Sequence, residues 1–167
     1  MSDGIRPNDG LRMGLIKSVY FSEAIQEYDP DYEPGDDETA ERKPPVSRVM
    51  ARAAWTGLVL QLVSLLDDGF EDFLEQRYPD QACRKLGDRI GFLKAKGHLK
   101  WPDRVQSVAD LRNKLAHEVN FFSNFDDWNS TLFTVKRELE HLGVVANLEP
   151  PPELRHQDEQ EAETRDE

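Results

Sequence analysis

The feature that most constrains this chain is the stretch from Val49 to Leu74. Apolar side chains recur there at Val49, Met50, Ala53, Ala54, Leu58, Leu60, Leu62, Val63, Leu65, Leu66, Phe70, Phe73 and Leu74, with no proline among them. They fall on more than one face of a helix. A helix apolar on several faces must be covered on several sides, so the spacing predicts the central helix of a bundle. Ser47 is placed to cap its start. Asp67-Asp68-Gly69 is a candidate kink, and Tyr78-Pro79-Asp80 ends the helix.

The rest of the chain reads as shorter elements around that helix. Residues 1–10 are polar and are expected to fray. Leu11, Leu15, Ile16, Val19, Tyr20 and Ile25 space a modest helix over 11–28. Cys83, Leu86, Ile90 and Leu93 predict a helix over about 81–96, stopped at Gly97. Pro102 suits the first turn of the next helix, whose apolar stripe is Val105, Val108, Leu111, Leu115 and Val119. Trp128, Leu132, Val135, Leu139 and Leu142 predict a last helix over about 126–143, ended by Gly143. No segment alternates with the period of a strand, and no fixed-length repeat is present. The expected fold is therefore all-α, an antiparallel bundle of four main helices in 46–148. An N-terminal segment, 1–28, packs on it. An acidic, proline-rich linker, 29–45, and an acidic tail, 149–167, are expected to be disordered.

Charge is distributed unevenly. The whole chain carries −12, but 23–43 is net −7 and 149–167 is net −6, which leaves the remainder at +1. Within it, 83–114 holds nine bases (Arg84, Lys85, Arg89, Lys94, Lys96, Lys100, Arg104, Arg112 and Lys114) against three acids, net +6. The global acidity, which argues against a nucleic-acid partner, thus belongs to the segments least expected to fold. A run of this kind is more often a solvated helix face than a binding surface.

The single cysteine, Cys83, excludes an intrachain disulfide, and no Cys/His cluster has zinc spacing. The start of the chain lacks the pattern of a signal peptide. Unbroken apolar runs are far shorter than the roughly 20 residues that span a bilayer. The expectation is a soluble cytoplasmic protein with no metal, no cofactor and no membrane partner. Asp67, Asp68 and Glu71 read as a solvated face, His98 as an exposed loop histidine, Cys83 as structural, and Trp55, Trp101 and Trp128 as packing residues.

The chemistry concentrates in Arg112-Asn113-Lys114-Leu115-Ala116-His117. Arginine offers a permanently charged fork for a phosphate, and histidine exchanges a proton near neutral pH. On spacing alone the better reading is a histidine favoured by a helix C-terminus beside a solvated arginine. Five residues of helix also turn the two side chains about 140° apart, so one helix does not aim both into one small pocket. A two-fold partner is the simplest surface that would complete such a site.

The surrounding residues add to this. Val108-Ala109-Asp110-Leu111-Arg112-Asn113-Lys114-Leu115-Ala116-His117-Glu118 resembles the signature helix of HEPN domains, in which arginine is followed after four to six residues by histidine. The order of elements over about 46–145 matches as well. The resemblance implies a homodimeric, metal-independent endoribonuclease of toxin–antitoxin or defence systems, with Arg112 and His117 catalytic and Asn113 assisting. Lys96, Lys100, Arg104 and Lys114 are then the expected RNA contacts, and a cognate antitoxin or regulatory protein is a possible partner. Val119 departs from the pattern, because HEPN toxins regulated by a nucleotidyltransferase carry a tyrosine there. The alternative is a non-catalytic HEPN-like module that binds nucleic acid or protein.

Overall fold

A computed structural model describes residues 4–29, 31 and 45–147, with nothing stated of the side chains of 45–47. Among them are five helices and no strand: α1 (Asp9–Tyr28), α2 (Pro45–Arg77), α3 (Leu86–Ala95), α4 (Pro102–His117) and α5 (Phe125–Leu142). The protein is an all-α bundle. Apart from Asp29, Asp31 and Pro45, the expected acidic linker lies outside the described residues, as does the expected tail.

The centre is α2, 33 residues and about 50 Å long, which packs against every other helix. Ala51, Trp55, Val59, Leu62, Leu66 and Phe70 are fully buried along it. By length and composition alone α2 is long and apolar enough to cross a membrane. Most of its large apolar side chains pack in the bundle core, while Val49, Met50 and Leu60 are exposed. The helix begins at Pro45, so Ser47 lies within its first turn rather than at the cap. It also runs unbroken through Asp67-Asp68-Gly69. Gly69 serves close packing there: a Cβ at this position would overlap the side chain of Leu139 on α5.

Local signals fix the ends of the outer helices. Asn8 caps α1, its side-chain oxygen accepting from the N–H of Gly10 at 2.9 Å. Leu11, Leu15, Ser18, Ser22 and Ile25 are its buried face. The described residues before it, 4–8, are anchored rather than frayed: the Arg6 N–H donates to Gln76 Oε1 at 2.7 Å, and the Asn8 N–H to the Val144 carbonyl at 2.6 Å. Asn124 and Asp127 form a reciprocal capping box at the start of α5. Gly143 ends that helix in the left-handed conformation, φ 79°, which glycine adopts without a steric penalty.

Two buried tryptophans tie the layers together. Trp128 Nε1 donates to Ser18 Oγ on α1 at 3.0 Å. Trp55 Nε1 donates to Asp29 Oδ2 at 2.5 Å. Asp29 was expected to open the solvated linker. It is buried because it caps α1 and receives that indole proton. The helix expected from 81 starts five residues later, at Leu86. After a turn at Pro79–Asp80, residues 81–85 form an irregular connection with a bend at Lys85, and Cys83 sits half-buried against the core.

Candidate functional site

Helix α4 carries the arginine–histidine motif, and its start is held from outside. Trp101, its N-cap residue, makes no side-chain cap, and Pro102 has no N–H to offer. The carboxylate of Glu138 on α5 takes over: it accepts the N–H of Lys100 at 3.0 Å and of Trp101 at 2.5 Å. Glu138 is 0% exposed. Val105, Val108 and Ala109 bury the helix against the core, while Leu111 and Leu115 are only half-buried.

The helix ends at His117, where the Glu118 N–H closes the last turn on the Lys114 carbonyl at 2.9 Å. Val119 was expected to continue the apolar stripe. It lies beyond the helix and is 91% exposed, because the chain turns away there. The connection then returns to α2, with the Ser123 N–H donating to Thr56 Oγ1 at 3.0 Å.

Arg112, Asn113 and His117 are all exposed. Arg112 Nη1 donates to Asn113 Oδ1 at 3.3 Å and makes no ion pair among the described residues. Arg112 and Asn113 line a cleft between α2, α3 and α4, together with Ser64, Asp67, Lys85 and Gln106. His117 is not part of its wall. One chain therefore brings Arg112 and Asn113 to one cleft and leaves His117 outside it, the divergence expected from helical geometry.

The four lysines and arginines expected to contact RNA are exposed but do not form one cluster. Lys100 and Arg104 meet at Trp101, 4.8 and 5.2 Å from its ring. Lys96 lies over Phe92 at the end of α3, 5.7 Å from the ring. Lys114 lies over Phe121, 5.9 Å away, near the far end of α4. Arg89, one of the nine bases of 83–114, is withdrawn from the surface charge. It is buried, with Nη1 2.6 Å from Asp67 and Nη2 2.7 Å from Glu71. Burial opposes its charge, but the hydrogen bond and charge of Asp67, with Glu71 and Cys83, outweigh that and raise its pKa. Asp67 and Glu71 are therefore ion-paired and not merely solvated. Beside them, burial and the like charges of Asp67 and Glu71 raise the Asp68 carboxyl, against the pull of Arg89. Among the described residues no group of His, Cys, Asp and Glu is placed to hold a metal.

His98 is not an exposed loop histidine. It is half-buried, with Nε2 2.7 Å from the Tyr78 hydroxyl in a hydrogen bond and its ring edge-on to Phe73 at 5.1 Å. Burial, then Arg77, His141 and Lys96, lower its pKa. Trp101 packs between helices, half-buried and stacked on Phe133 of α5; neither Phe133 nor Arg137 was singled out from the sequence. The available signal was an aromatic at i and a cation at i+4 on the polar face of an amphipathic helix. In comparisons with known proteins, the chain matches no family model, no curated protein and no solved structure.

Proposed function

We propose that the protein is a metal-independent endoribonuclease of the HEPN type, acting as a homodimer on RNA. The observation that carries this reading is the state of Arg112. It is an exposed arginine with no acidic partner among the described residues, hydrogen-bonded to Asn113 at the rim of a cleft. A guanidinium left without a carboxylate is available for a phosphate. His117, exposed about 1.4 turns further on, supplies the proton-transfer group.

In the proposed reaction His117 takes the proton of a ribose 2′-hydroxyl. The 2′-oxygen attacks the adjacent phosphorus, and Arg112, oriented by Asn113, neutralises the charge building on the phosphoryl oxygens. The bond to the 5′-oxygen breaks, and that oxygen takes a proton from His117 of the second copy or from water. The products are a 2′,3′-cyclic phosphate and a 5′-hydroxyl. DNA lacks the nucleophile, so the reaction selects RNA. Because Arg112 and His117 diverge on one helix, the proposed site is complete only where two copies of α4 meet.

The test is cleavage of RNA in EDTA by the wild type, His117→Ala and Arg112→Ala. The wild type is expected to release cyclic-phosphate ends, and each variant to lose at least a hundredfold in rate, in the range for a general base or an oxyanion donor. Equal rates in wild type and His117→Ala, or no cleavage by the wild type, would overturn the catalytic reading. The second of these outcomes returns the protein to a binding role.

A further inference from the structure

The Glu138 contact that starts α4 also sets Trp101 beside Phe133. The two rings stack with centroids 5.5 Å apart and planes 17° from parallel. Phe133 is on the outer side of α5 and 44% exposed. Three cations crowd the pair. Lys100 Nζ is 4.8 Å from the Trp101 ring. The Arg104 guanidinium is 5.2 Å from Trp101 and 5.7 Å from Phe133. The Arg137 guanidinium is 5.6 Å from Phe133. Lys100 and Arg104 make no ion pair among the described residues, while Arg137 shares Glu140 at 3.6 Å.

A stacked pair serving only packing would be covered, and its cations would be matched by acids. Here Trp101 is half-buried and Phe133 exposed, and the cations lying over the two rings are largely unmatched by acids. The complementary ligand has a flat π-face and negative charge next to it, as a nucleotide does. Bases in a duplex hide their faces against one another, so only an unpaired strand presents one. We infer that Trp101 and Phe133 form a stacking platform for an unpaired base of single-stranded RNA, with Lys100, Arg104 and Arg137 holding its flanking phosphates. The inference rests on the reading of RNA as substrate and deepens it, naming the form of RNA and a second contact region. Arg104 and Arg112 are eight residues apart on α4, about 12 Å along its axis, so a strand of a few nucleotides reaches from the platform to the motif.

The experiment is fluorescence anisotropy with a labelled oligouridylate of about 12 nucleotides, within the length range of single-strand sites. The protein is the full chain carrying His117→Ala, to prevent turnover. Phe133→Ala and the double variant Arg104→Gln/Arg137→Gln are each expected to weaken binding about tenfold, the double variant with a smaller salt dependence. Bound RNA should quench Trp101, since Trp55 and Trp128 are buried. Phe133→Leu keeps the apolar volume and removes the π-face, and should lose affinity like the alanine variant. Unchanged affinity in Phe133→Leu, duplex RNA binding as tightly as the single strand, or an acidic peptide quenching Trp101 as strongly as RNA would each overturn the platform. The two proposals fail separately. Cleavage with full affinity retained in the Phe133 variants removes the platform alone, and Phe133-dependent binding without wild-type cleavage removes the catalysis alone.

Discussion

The buried carboxylate of Glu138 accepts the backbone N–H of Trp101, and this contact joins α5 to the first turn of the motif helix. A helix start leaves four N–H groups without partners inside the helix. At α4 the usual remedy, a capping side chain, is missing. A carboxylate from a neighbouring helix instead accepts the N–H of the N-cap residue Trp101 and of Lys100 just before it, and the positive end of the helix dipole favours the negative charge there.

Glu138→Ala is therefore expected to cost about 2–3 kcal/mol, because it strands two N–H donors and removes charge-assisted hydrogen bonds. Glu138→Gln retains an acceptor oxygen without the charge and should cost about half as much. Urea unfolding at neutral pH measures both. An alanine variant as stable as the wild type would show that the start of α4 holds without this cap.

The difference between what was legible and what was not follows from distance along the chain. Pro102 at the start of α4 and Gly143 after α5 are local signals that were read, and α1, α4 and α5 lie close to where the apolar spacing places them; the caps Asn8 and Asn124 are equally local but were not singled out. The exposed motif residues were legible for the same reason: one helical stripe, Val105, Val108 and Leu111, settles which way Arg112 points. Long-range partners were not. Glu138 looks in sequence like one acid among several on an amphipathic helix, and only the arrival of the α4 N-terminus makes it a buried cap. Arg89 looks like part of a basic surface until Asp67 and Glu71, about twenty residues earlier, close on it. Cys83 extended the apolar spacing of α3 backwards by chance, and the backbone of Gln81–Lys85 did not follow it into a helix.

His98 gives the bundle a pH dependence whose sign is fixed by its surroundings. Burial and the nearby positive groups depress its pKa, so the folded state prefers the neutral ring, while an unfolded chain takes up a proton near pH 6.5. As pH falls below that value the unfolded state binds the proton first, and stability is lost until the folded pKa is passed. The contribution of His98 is thus fully present above about pH 6.5 and declines below it. Unfolding free energies measured across this window should fall more steeply in the wild type than in His98→Gln. Parallel curves would show that His98 does not titrate differently in the two states.

Gly69 predicts a difference between two glycines that look alike in sequence. Both Gly69 on α2 and Gly91 on α3 are interior helical positions, where alanine is intrinsically better by about 1 kcal/mol. At Gly91 an added Cβ meets nothing within 4 Å, so Gly91→Ala should gain up to that amount. At Gly69 it overlaps the side chain of Leu139, which is 0% exposed and has no solvent to swing into. Overpacking a filled core typically costs about 1–3 kcal/mol, which exceeds the helical gain. Gly69→Ala should therefore lower the melting temperature by several degrees, at about 2–4 °C per kcal/mol for a chain of this size, while Gly91→Ala raises it slightly. If Gly69→Ala melted at or above the wild-type temperature, the close approach of α2 and α5 at Leu139 would be looser than the packing described.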